Sequence, residues 1–230
     1  MEILKIIFTI ILILDIPLAI ASFIFAYILL FRRDWRNPIY FNFGMAILSM
    51  AIWLFITLLD FFRLTPFSPT MHAIFGFTIS IWVLHFFLIF TYYYPIKIIS
   101  LNLRLPIIYI LTIIVSLSAF LSNLYVFDSQ VVFPFRYRYM NPIGITIFII
   151  YFSILAGVGL YNLFKNFEQS DGVNRIKIKK IMSGTSLAIL ANLFFSLVNY
   201  YYTPFDLTLF GMFSTITVLI YIYSILFSKD

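Results

Sequence analysis

The sequence predicts an all-α integral membrane protein: a single bundle of seven transmembrane helices, N-terminus outside and C-terminus in the cytoplasm. Three observations predict it. First, 63% of the 230 residues are hydrophobic and only 10% are charged, with mean hydropathy +1.05. A soluble domain is about 45–50% apolar and about 25% charged. Second, apolar runs of membrane-crossing length recur along the whole chain. Third, the basic residues cluster in the gaps between those runs, more heavily in alternate gaps, as loops of a membrane protein do. The net charge of +6 therefore reads as loop charge and not as a nucleic-acid-binding surface. There is no cysteine, which excludes disulfides, thiolate chemistry and Cys-based zinc sites.

A helix needs about 20 mainly apolar residues to cross the hydrocarbon core. Seven runs qualify: Ile3–Phe31, Ile39–Phe62, Met71–Tyr94, Leu105–Phe127, Ile143–Phe164, Ile181–Tyr202 and Leu207–Phe227. Span one follows Lys5 and contains Ala19-Ile20-Ala21, an A-x-A pattern like a signal-peptidase site. Its apolar run continues to Phe31 and stops at "FRRDWR", so an uncleaved first span is expected. The separators carry breakers: Pro38, Pro66, Pro69, Pro95, Pro134, Pro142, Asp171-Gly172 and Pro204. The runs are continuously apolar, without the alternation of a barrel strand, and a helix satisfies its backbone polar groups within one segment. The longest outside loop, 123–142, contains "FPFRYRYMNP" and is expected to form an ordered, aromatic and basic lid.

Orientation follows from counting Lys and Arg. Eleven fall after spans one, three, five and seven: Arg32, Arg33, Arg36, Lys97, Arg104, Lys165, Arg175, Lys177, Lys179, Lys180 and Lys229. Only four fall on the other side: Lys5, Arg63, Arg136 and Arg138. The positive-inside rule puts the eleven in the cytoplasm. There, Arg32, Arg33, Arg36 and the loop bearing Lys165, Arg175, Lys177, Lys179 and Lys180 are candidate contacts for anionic lipid or a cytoplasmic partner.

Known membrane chemistries find few matching residues. A retinal Schiff base needs a buried lysine, and every lysine lies at or beyond a span end. An intramembrane metalloprotease needs a pattern such as H-E-x-x-H. The only histidines are His72 and His85, with no glutamate between them. "SGTS" (Ser183–Ser186) sits at the mouth of span six, far in depth from His85, and reads as small residues that let helices approach. No catalytic residue, cofactor or metal is expected.

Buried ionisable residues are functional candidates by default. Two lie deep, Asp15 in span one and His85 in span three. Each is about 12–14 residues from its span start, roughly 18–21 Å at 1.5 Å per residue, so their depths match. The functional reading is a proton- or ligand-responsive pair; the plainer one is a structural hydrogen bond, or two side chains each satisfied elsewhere. Asn192 and Asn199 share a face of span six (i, i+7) and serve by default as polar glue. Trp53 and Trp82, with the many phenylalanines, could line a pocket for a small apolar ligand. Asp15, His85, Trp53, Trp82, Asn192 and Asn199 are therefore the candidate ligand-binding residues.

The order of motifs resembles the seven-transmembrane N-terminal sensor region of histidine kinases. The matching pieces are "GMAILSMAIWLFITLLD" in span two, "WVLHFFLIFTYYYP" in span three and "MNPIGITIFIIYFSILAGVGLYNLF" in span five. "RIKIKKIMSG" enters span six, "NYYYTP" ends it, and "GMFSTITVLIYIYSIL" closes span seven. Together they cover essentially the whole chain. The resemblance implies a signal-input protein that binds a ligand or senses membrane state and signals to a cytoplasmic protein. In that family the last span usually leads into a phosphoacceptor helix and an ATP-binding domain. This sequence ends at Lys229-Asp230, which implies a stand-alone relative or a piece of a longer chain. A transporter or a structural subunit of a membrane complex is the alternative from another class.

Overall fold

The computed structural model describes residues 2–33, 35–64, 66–95, 105–121, 124–132, 135–202 and 207–227. Seven α-helices and one β-hairpin appear among them. The order is α1 (Glu2–Tyr27), α2 (Pro38–Phe61), α3 (Pro69–Tyr93), α4 (Leu105–Ser118), β1 (Val126–Val132), β2 (Phe135–Met140), α5 (Pro142–Glu168), α6 (Gly172–Tyr202) and α7 (Thr208–Phe227). A π-helical turn, Ile28–Arg32, follows α1.

Three helix starts share one local code. Asn37, Ser68 and Asn141 each precede a proline and accept a backbone N–H with the side chain, from Ile39, Met71 and Ile143 respectively. A side-chain cap satisfies a donor the first turn leaves orphaned, and proline at the first position loses no hydrogen bond.

Six helices are long and apolar enough to cross a membrane, which is the architecture of a multi-pass membrane protein. Helices α1, α2, α3, α5, α6 and α7 pack successively, and α7 returns to α1, so these six close a ring, with α4 against the outside of α3. Phe8 meets Phe210 edge-on and Phe25 stacks on Tyr223, so α1 and α7 run in the same direction. The first helix and the π-helical turn after it bury one stripe, Phe8, Leu12, Asp15, Ala19, Ser22, Ala26 and Leu29, at alternating steps of four and three residues. Between them Ile6, Ile10, Ile13, Ile20 and Ile24 are exposed. That is the pattern of a helix with one face on the bundle and the other toward lipid.

Three expectations are corrected. Span four does not run to Phe127: its helix ends at Ser118. From Leu105 the described helix has 14 residues, about 21 Å long against a hydrocarbon core of about 30 Å. Beyond it the chain turns and enters the hairpin, so the fold is not purely α. The apolar run misled because its end, Val126 and Phe127, belongs to β1, where β-branched and aromatic residues fit a pleated surface. The basic stretch before span six is not a loop. Lys165 lies in the last turns of α5, and Arg175, Lys177, Lys179 and Lys180 lie in the first turns of α6. The link between the two is 169–171. Gly172, at φ +56°, makes the turn, a backbone state glycine adopts without steric cost.

The expected lid is the hairpin. Its strands are antiparallel, with Val132 opposite Phe135 and Val126 opposite Met140, and carry a one-residue bulge between Val126 and Asp128. The hairpin is tied down at several points. Arg63 donates from its guanidinium to the Val131 carbonyl at 2.8 Å. The Asn141 amide donates to the Tyr125 carbonyl at 2.9 Å. Gly144 lies so close to the Leu124 carbonyl and the Tyr125 backbone that a Cβ there would overlap them.

Candidate functional site

Buried apolar side chains form two clusters. One joins α1, α2 and α7 with one side of α3; the other joins the rest of α3 with α5 and the start of the hairpin. Between them lies a cavity of about 950 Å³ including its mouth, bounded by α2, α3, α5, α6 and α7. Phe77, Phe87, Phe148 and Phe152 supply much of its wall.

Trp53 and Asn192 both line it, so two of the candidate ligand-binding residues meet in one place. Trp53 reaches this position because Gly76 has no side chain: a Cβ there would lie 2.9 Å from the indole nitrogen. Asn192 is held from three directions. Its amide group donates to the Ala188 carbonyl at 2.8 Å, the Gly211 carbonyl at 3.2 Å and the Thr215 hydroxyl at 2.5 Å. It is glue between α6 and α7, as expected, and also one patch of the cavity wall. Closeness of these helices recurs at Gly184 in "SGTS", where a Cβ would touch Val218 at 3.4 Å. Asn199 lies within α6, but its side chain is outside the described residues.

Asp15 and His85 are not brought together. Nδ1 of His85 meets the Thr112 hydroxyl of α4 at 2.8 Å. That hydroxyl donates to the Ile108 carbonyl at 2.8 Å and meets the Tyr151 hydroxyl of α5 at 2.7 Å. The single Thr112 proton serves one of three contacts, so the donor roles among the hydroxyl, the imidazole and Tyr151 follow the imidazole tautomer. The three side chains form a polar seam across α3, α4 and α5. Aromatic rings enclose the imidazole: Tyr109 at 4.3 Å and Trp82 at 5.1 Å between centroids, both edge-on. Trp82 thus belongs to the seam and does not line the cavity. Among the described residues, Nε2 of His85 is buried without a hydrogen-bond partner, as are both carboxylate oxygens of Asp15. Helix α1 packs against α2 and α7, while His85 faces α4 and α5.

The acid–imidazole pair that does form is Asp60 with His72, 3.3 Å apart and buried. Nδ1 of His72 also meets the Ser68 carbonyl at 3.0 Å. The pair joins the end of α2 to the start of α3 beside the hairpin. At the opposite end of α3, Asn166 of α5 donates to the Tyr94 carbonyl at 2.6 Å, and Asn162 donates to the Thr91 hydroxyl at 3.2 Å. The Asn166 amide, which also reaches the Thr91 carbonyl at 3.4 Å, serves carbonyls that the last helical turn leaves without partners. Asn162 and Asn166 were missed in the sequence, although their i, i+4 spacing puts them on one helical face. Asp60 and His72 were visible as polar residues at adjacent span ends, but nothing in the sequence specified their pairing. No three His, Asp or Glu side chains gather as a metal site among the described residues.

The basic candidates lie at the end of the bundle that holds the α1–α2 and α5–α6 connections. Arg32, Arg33, Arg36, Lys165, Arg175, Lys179 and Lys180 are exposed and Lys177 is half-buried. Arg33 lies over the Phe227 ring at 5.1 Å and Arg175 over Phe167 at 4.7 Å, within cation–π range. The first contact ties the α1–α2 connection to the end of α7.

No protein-family model and no curated protein sequence matches this chain.

Proposed function

We propose that the protein is a signal-input protein of the cytoplasmic membrane that takes an apolar ligand into the central cavity and signals to a cytoplasmic partner. The observation that carries the reading is the cavity itself. Five helices share its wall, so an occupant touches all of them, and filling it favours arrangements of α6 and α7 that accommodate the occupant. Both helices reach the basic end, where Arg33 and Phe227 link α7 to the α1–α2 connection. In this reading seven spans cross the membrane with the N-terminus outside, which puts the basic end in the cytoplasm and the hairpin outside. The motif order shared with the sensor regions of histidine kinases supports the same assignment. A transporter has less support, because no ionisable residue lines the cavity and transporters place polar or charged groups at the midplane.

The test uses the absence of native cysteine. Spin labels at Lys179→Cys on α6 and Arg32→Cys beyond α1 report their separation in nanodiscs. Hexadecane, 1-hexadecanol and palmitate serve as probes. At least one probe is expected to shift the separation by about 1–2 Å or more, the scale of helix shifts in switching proteins. Ala188→Phe, which fills the cavity, is expected to abolish the response. An unchanged distance with all three probes would overturn the reading.

A further inference from the structure

The cavity has a polar inventory that narrows its ligand. Besides Trp53, four polar side chains line it: Ser80, Thr185, Asn192 and Thr215. Three are committed within the protein. Ser80 donates to the Phe77 carbonyl at 2.8 Å. Thr215 donates to the Gly211 carbonyl at 2.9 Å and accepts from Asn192 at 2.5 Å.

Thr185 differs. It is only 5% exposed, it lines the cavity, and its hydroxyl has no hydrogen-bond partner among the described residues. A helical threonine ordinarily donates to the carbonyl four residues back. Thr112, Thr146, Thr215 and Thr217 do so here. A buried hydroxyl left unpaired is costly, and an oxygen on a cavity occupant would remove that cost.

Shape and charge restrict the occupant further. The lining on α3 runs from Gly76 to Phe87, about 16 Å along the helix axis, so the space is elongated. An ionised group inside would find no counter-charge in the lining, and an unpaired charge in an apolar setting is strongly disfavoured.

We infer that the ligand is a neutral, chain-like lipid with one hydrogen-bonding oxygen, a hydroxyl or a carbonyl, that meets the Thr185 hydroxyl inside the cavity. The inference rests on the ligand-binding reading above and specifies its chemistry.

The experiment reads occupancy through Trp53. Trp35→Phe and Trp82→Phe leave it as the single tryptophan. The variant, in nanodiscs, is titrated with three chain-brominated probes that share chain length and bromine position: octadecanol, octadecane and stearate. Bromine quenches indole on contact. Brominated octadecanol is expected to quench saturably. Thr185→Val is expected to weaken that binding about three- to tenfold, the effect of losing one neutral hydrogen bond. Thr185→Ser is expected to restore it, which separates a lost hydroxyl from a disturbed fold. Brominated octadecane is expected to bind more weakly and to ignore the valine substitution. Equal affinity for alcohol and alkane, equal affinity for stearate, or insensitivity of the alcohol to Thr185→Val would overturn the inference and leave the ligand-binding reading standing. Absence of saturable quenching by all three probes would remove both.

Discussion

The two sides of α3 face opposite packing conditions. On one side His85 reaches Thr112 and Tyr151 through contacts of 2.8 and 2.7 Å, with aromatic rings closing over the imidazole. On the other side Ser80, Val83, Leu84 and Phe87 face the cavity. Both sides contain polar groups in an apolar helix. In the seam each hydroxyl is completed by a neighbour, and polarity serves as cement. In the cavity Thr185 is left incomplete, and polarity becomes available to something else. A polar residue in a membrane bundle is thus glue or binding group according to its neighbours and not its type.

Adding or removing atoms on the two sides separates them. The largest effect is expected from Gly144→Val on the closed side. The obstruction there is the Leu124 and Tyr125 backbone, which cannot rotate away. The substitution should exceed the usual overpacking cost of about 1–3 kcal/mol and release the start of the hairpin, seen as a large loss of thermal stability in detergent. Thr112→Val comes next. It is nearly isosteric but removes the hydroxyl shared by His85 and Tyr151. Leaving buried polar groups unpaired costs about 1–3 kcal/mol. A double-mutant cycle with Tyr151→Phe should show strong coupling, and additive effects would dissolve the seam as a unit. The smallest effect is expected from Ala188→Phe on the hollow side. It adds more volume than Gly144→Val yet should change stability by less than about 1 kcal/mol, because the cavity receives the ring where a filled core would resist it. A large destabilisation there would mean that the cavity is filled by protein in the working state.

Much of the helical layout was legible before any fold was known. The cap-and-proline starts at Asn37, Ser68 and Asn141 are local codes, and local codes survive in a linear sequence. The stripe on α1 follows from helical periodicity in the same way. Span four was misread because an apolar run states hydrophobicity and not backbone form. In 105–127 the helix and the approach to the hairpin share one apolar composition. The candidate site was legible in part. Trp53 and Asn192 reach the cavity as aromatic and polar residues of crossing helices could. Thr185 was hidden among many small polar residues, and only its missing partner together with its place on the cavity wall distinguishes it.

Sequence alone determined that the chain forms apolar helices and where most of them start, because hydrophobic runs and their breakers are local features. Tertiary structure alone decided which way each residue faces around its helix. It turned His85 toward α4 and α5, kept Asp15 within the α1 face that packs on α2 and α7, and joined Asp60 to His72. It also decided where packing is complete and where a hollow remains. Those outcomes depend on how side chains from several helices fill a shared volume, and that volume exists only after the helices have met.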